Sequence, residues 1–393
     1  MKRFFFIASV LSALALPMWG QNYPSVHMDE QSTPFLANNS TTWSVSPYVN
    51  GFFLVRNDNT GISTIVDSTL NRCGKVCLSR SDFSFWPQFT KEGVATAVLK
   101  DDVICIIDTS GKIVKEFPLG TRISRRFVDG IAMVEVRRDK RIASPCDIHY
   151  IDTKGNFIYP HLTMKDVDYG SLDISKPYPL RDGRRAYYDP TKNRFGYLDA
   201  SGKIVIPAVY TAVHDFSEGL AATTTVDANV KLWGYIGVDG ETVIEPFVRH
   251  EPGDFHDGHA VVIKQNGKQL YMNKFGRLVS AEVDVAYRYF NGYAIITNGP
   301  KNSYVVNKEK KLVRRLESRL ISSLGYNESN QTIIYDQYIL SPDGKVLLAF
   351  DLSERLIHPF IDDYALYYSA RTGRFGFIDK NGRFKVYFVE SEF

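Results

Sequence analysis

The densest polar stretch of the chain is RHEPGDFHDGH, residues 249–259. His250, His256 and His259, with Glu251, Asp254 and Asp257, are residue types that ligate divalent metals. Their setting argues against convergence. Asp257-Gly258 is a turn dipeptide, and His259 fills a slot that Leu220 fills in a parallel segment. We therefore read 249–259 as a surface turn and assign no metal. Repeated Asp-x-x-Gly turns raise calcium next. A calcium loop needs several oxygen ligands at alternate positions and a closing carboxylate. These turns offer one Asp and often a nearby Lys, as with Asp199 and Lys203, and NDNTG (57–61) is no better.

For catalysis, the chain shows no nucleophile elbow, phosphate loop or helix-borne His pair. A carboxylate pair for glycoside hydrolysis depends on fold position, and nothing singles one out. Tyr187 and Tyr188, with Tyr364, Tyr367 and Tyr368, remain as recognition candidates. Strand alternation sends adjacent side chains to opposite faces, so one of each neighbouring pair is expected exposed or between units. Cys73, Cys77, Cys105 and Cys146 complete the reactive inventory. Cys73 and Cys77 flank a Gly-Lys-Val turn candidate, where a local disulfide is conceivable. Free buried thiols are the alternative. A metal reading lacks a second closely spaced Cys or His pair.

These residues sit in two signals that alternate along the chain. The first is a strand, then Asp or Asn, a turn ending in Gly, and a second strand. It runs as IIDTSGKIV (106–114), YIDTKGNFI (150–158), YLDASGKIV (197–205), YIGVDGETV (235–243) and YMNKFGRLV (271–279). It continues as VVNKEKKLV (305–313), ILSPDGKVL (339–347) and FIDKNGRFK (377–385), with a degenerate first copy expected around CGKVC. Gly supplies the positive φ such a hairpin needs, and the Asp side chain can bond backbone N–H groups two residues on. The second signal is an aromatic, a polar pair ending in Gly, then a small-residue strand: FTKEGVATAV (89–98), FVDGIAMVEV (127–136), FSEGLAATTT (216–225), FHDGHAVVIK (255–264) and FNGYAIIT (290–297). The Ala after its turn implies a crowded inner position.

Phe-Ser-Glu-Gly-Leu-Ala (216–221), Leu-Trp-Gly-Tyr-Ile (232–236) and Gly-Glu-Thr-Val-Ile-Glu-Pro (240–246) resemble the WG-repeat family. So does Phe-Gly-Tyr-Leu-Asp (195–199) running into Gly-Lys-Ile-Val-Ile-Pro (202–207). The resemblance covers residues 194–264 and 371–385; Trp233 keeps the namesake ring, while Phe195 and Phe375 replace it. It implies a β-rich tandem array in exported bacterial proteins and carries over no catalytic residues. Physically, each ring should pack under the neighbouring unit while Gly lets a backbone approach. One unit cannot bury its own apolar face, so units stack.

The expected fold is thus all-β, about eight or nine hairpin or meander repeats spaced 34 to 47 residues apart. A propeller-like ring is favoured over an open curved solenoid. Short helices are expected at Glu317 to Leu324 and Asp351 to Ile357, and an irregular insert at 161–179.

Net charge is +3, too small to imply nucleic acid or an anionic membrane as main partner. Residues 1–21, MKRFFFIASVLSALALPMWGQ, read as a cleaved secretory leader: Lys2 and Arg3, then an apolar core too short to span a bilayer. A polar segment follows over 22–46, and the repeat domain over 47–393. These features lead us to expect an exported, non-enzymatic binding or scaffold protein of the bacterial envelope, periplasmic or at the cell surface, without cofactor. Its expected partner is a protein, with a cell-surface glycan next. The alternative is an envelope glycan hydrolase with a carboxylate pair in a central cleft.

Overall fold

The structure, a computed structural model, describes residues 33–37, 43–79, 86–137, 145–168, 170, 172–174, 177–227, 230–299, 302–316 and 324–390. Among the described residues there are 34 strands, two 3₁₀ turns (Lys100–Asp102 and Pro160–Leu162) and no α-helix. The strands form nine sheets, eight with three to five strands and one with two. Numbered in chain order, their strands fall within 43–77, 94–116, 122–167, 185–210, 212–248, 259–273, 285–316, 324–349 and 354–390. Within these ranges the pairing is antiparallel and successive strands are neighbours, except that Met164–Val167 pairs with Cys146–Ile151 rather than with Phe157–Ile158.

Both signals become tight turns. In the first, Asp Oδ1 accepts backbone N–H bonds from its own loop. Asp199 takes Ser201 at 2.9 Å and Lys203 at 3.0 Å, and Asp108, Asp152 and Asp379 repeat the pattern. In the second, the residue before Gly has a positive φ too, as at Asp129, Asp182, Glu218 and Asp257. The alanines that follow (Ala95, Ala132, Ala186, Ala221, Ala260, Ala294 and Ala365) are all buried.

Neither sheet face is left bare. Nine apolar clusters lie between consecutive sheets, and the ninth joins the last sheet to the first. There Phe53 meets Phe377 at 5.0 Å between ring centroids and Tyr48 meets Tyr364 at 5.1 Å. Each buried ring contributes about 1.5–3 kcal/mol by leaving water. The array is therefore a closed ring, not an open spiral. Strand Thr33–Ala37 runs parallel to Phe384–Glu390 and adds a fifth strand to the last sheet.

The first-signal glycines lock neighbouring sheets. A Cβ on Gly240 would stand 3.2 Å from Ile206 of the previous sheet, and one on Gly276 3.2 Å from Ile244. Gly202 lies under the Tyr159 ring in the same way. Where Lys310 takes the glycine slot, its Nζ reaches back 3.0 Å to His259 of the sheet before.

Three expectations need correction, and the state of the cysteines, left open by the sequence, is decided. CGKVC is not a turn: Arg72–Cys77 is one strand, and the first hairpin is set by Asp67, with Leu70 at φ 69° where other copies have Gly. All four cysteines are free thiols. Four positions along a strand put Cys73 and Cys77 roughly 13 Å apart, beyond disulfide reach. Asp351 to Ile357 is not helical but leads into strand Glu354–Ile361, whose burial alternates as a half-covered strand demands. The 161–179 insert holds strand Met164–Val167, paired to Cys146–Ile151. Of the other expected helix, 317–323 lies outside the described residues and Leu324 opens a strand, as residues 1–21 also lie outside them.

Candidate functional site

The second-signal turns form a polar belt from sheet to sheet. Asp129 Oδ2 accepts the Leu180 N–H at 2.7 Å, Asp182 that of Gly219 at 2.6 Å, and Glu218 that of Gly258 at 2.9 Å. Asp257 accepts the Gly292 N–H at 2.8 Å, and Asp362 closes the belt by accepting the Asn50 N–H at 2.9 Å. Asn50 Nδ2 donates onward to the Phe89 carbonyl, and Asn327 Nδ2 to that of Phe360. Cations flank the belt: Lys274 is 3.0 Å from Glu218, and Lys308 3.0 Å from Asp257. Burial alone would raise the Glu218 and Asp257 carboxyls. Lysine and backbone N–H bonds outweigh it, leaving both below the ordinary carboxylate range. These are ionised acceptors already engaged by backbone, suited to holding sheets in register.

The histidines of 249–259 diverge. His256 Nδ1 lies 3.1 Å from an Arg288 nitrogen, while His259 stacks on Tyr289 at 4.6 Å and faces Lys310. Burial, then neighbouring cations, push both below the usual imidazole range. His250 is exposed. Two acids of that stretch, Glu251 and Asp254, instead converge on His214, which the sequence did not single out. Its Nδ1 is 2.7 Å from Asp254 Oδ1 and its Nε2 2.9 Å from Glu251 Oε1, joining sheet 5 to the entry of sheet 6. Burial works against its charge, but the two carboxylates outweigh it and raise its pKa. Its ring stands edge-on to Trp233 at 5.3 Å. His214 is about 40 residues from its partners, so only the stacking of sheets reveals it. Among the described residues no group of three or more His, Cys, Asp or Glu is placed to hold a metal ion.

Trp233 is itself buried, packed into the cluster that Phe255, at the entry to the next sheet, and Met272 within it complete. Gly234 is required by the bulged outer strand: a Cβ there would sit 2.5 Å from the Ile244 carbonyl and 2.8 Å from Pro246 N. Of the tyrosines, Tyr187 and Tyr367 are buried, while Tyr188 and Tyr368 are half-buried, packed on Phe195 and Phe375. Tyr364 packs at the ring closure. NDNTG is a turn in which Asn57 Oδ1 accepts the Asn59 and Thr60 N–H bonds.

An open groove of about 430 Å³ lies between the end of strand Thr242–Val248 and the 263–270 hairpin. Val248, Val262 and Leu270 form its buried floor. Phe247 and Leu278 rise from it 45% and 49% exposed, and Arg249 stands at its rim. That volume suits a small ligand or a few side chains.

The closed ring of small radial sheets defines the class of protein: a β-propeller. Within that class, the WG containing repeat matches residues 195–224, from strand Arg194–Leu198 into strand Leu220–Asp227. The chain thus carries a WG repeat at residues 195–224. Among solved structures, a eukaryotic initiation factor is similar at 12% identity and TM-score 0.56, over 88% of this chain and 96% of that one. BamB from Moraxella catarrhalis is similar at 13% identity and TM-score 0.38, over 77% of this chain and 94% of that one. AztD from Citrobacter koseri stands at 12% and 0.36, over 71% and 89%. The likeness to the initiation factor concerns fold alone, and the other two overlaps are too loose to carry an argument. No curated protein matches the chain.

Proposed function

We propose that this protein is an exported, non-enzymatic binding or scaffold module of the bacterial envelope, and that its partner is a protein. The observation that carries this reading is the employment of the repeated carboxylates. Turn Asp residues such as Asp199 accept from their own loops, and belt residues such as Asp257 accept from the next sheet. The acid groups most often repeated in the chain thus serve architecture. What the ring offers outward is shaped surface, including the groove beside Phe247. The charged start and short apolar core of residues 1–21 support export.

The test uses immobilised protein of residues 22–393 and envelope extract, with captured proteins quantified against increasing bait. Saturable recovery of a defined protein is the expected result. Turnover of a glycan panel that disappears on replacing one Asp or Glu would overturn the reading in favour of a hydrolase.

A further inference from the structure

We propose that the groove between sheets 5 and 6 is a peptide site, taking an extended segment whose apolar side chain is flanked by a carboxylate. This deepens the binding reading and rests on it. Three features select that occupant. The floor of Val248, Val262 and Leu270 is buried and aliphatic, and exposed Phe247 extends it outward. Such a surface gains free energy by covering an apolar side chain. The residues lining the groove include Arg249, His250 and Lys264 but no Asp or Glu, so the charge it complements is negative. Lys264 is paired with Glu282 at 2.5 Å, whereas Arg249 is exposed at the rim, where its planar fork suits a carboxylate. Gln265 adds a side-chain amide that can both donate to and accept from a peptide backbone, while the Asn266 amide is engaged by Glu282 and the Lys268 N–H.

Two other modes fit less well. Strand Thr242–Val248 is an outer edge, but Pro246 removes a backbone donor there, which disfavours adding a peptide as a further strand. The recess is open, so an acyl chain would stay largely in water.

The test is selection from a random peptide library displayed on phage, using the mature chain as bait, followed by titration of the enriched peptides. Enriched peptides should share an apolar residue next to Asp or Glu, and their binding should weaken as salt rises. Phe247→Ser and Arg249→Glu change exposed side chains, and thermal melts confirm that both variants stay folded. Each should weaken binding roughly tenfold or more, about 1.4 kcal/mol. Enriched peptides that are basic, or that bind both variants as tightly as the parent, would overturn the site, as would a selection without enrichment. If the variants still capture the partner from envelope extract, the groove assignment fails while the binding-module reading stands. If the parent captures none, the broader reading fails.

Discussion

His214 shows what one side chain does at a junction between sheets. Held by Asp254 and Glu251, its imidazole donates from both nitrogens only when protonated. A raised folded pKa gives stability that is fully present below the unfolded value of about 6.5 and lost as pH rises through the folded value. His214→Gln should therefore lower the urea midpoint more at pH 6 than at pH 9. An equal loss at both would contradict the pairing. The glycines divide by cause. Gly258 has φ +77° with nothing near its missing Cβ, so Gly258→Ala should cost about 1 kcal/mol from backbone strain alone. Gly234 has no such φ, but its Cβ would press on the backbone at Ile244 and Pro246. Gly234→Ala should cost more, about 2–3 kcal/mol, because an outer strand must shift. Chemical denaturation of the two variants checks the order.

At the scale of elements, each second-signal turn is both a bend and a latch. Asp257 adopts a positive φ, and its carboxylate holds the Gly292 N–H of the next sheet. Asp257→Ala should lose about 1–2 kcal/mol, and Asp257→Asn clearly less, because Asn tolerates the same φ and keeps an acceptor. Equal losses would mean the carboxylate latch is not what matters. The bend was legible in the sequence, since Asp-Gly marks a tight turn by local chemistry. The latch was not, because its donor belongs to another sheet 35 residues on. Two turns that lack glycine were also missed. Leu70 closes the first hairpin at φ 69°, and Gln331 sits at φ 57° in the turn after Asn327. No glycine marks either turn, so motif reading passes over them. The buried alanines and Trp233 were legible because both answer to close packing, which recurs in every unit. The groove was not, since Phe247, Val262 and Leu278 come from separate segments that only folding brings together.

For the whole molecule, closure decides the character of the protein. An open array would leave the apolar faces of its first and last sheets in water. Here Val45, Tyr48 and Phe53 of sheet 1 are buried against Leu366, Phe377 and Val386 of sheet 9. The belt crosses the same seam through Asn50 and Asp362. A closed ring also fixes the mutual placement of sheets 5 and 6, and with it the groove. The seam itself gives the most direct measurement. With Cys73 and Cys77 replaced by serine, Asn50→Cys and Asp362→Cys are introduced together and treated with a short bis-thiol crosslinker. Digestion and mass spectrometry then map the bridge. The account predicts an efficient link between residues 50 and 362 within one chain. Thiols that stay unlinked, or links formed only between molecules, would contradict the closed ring.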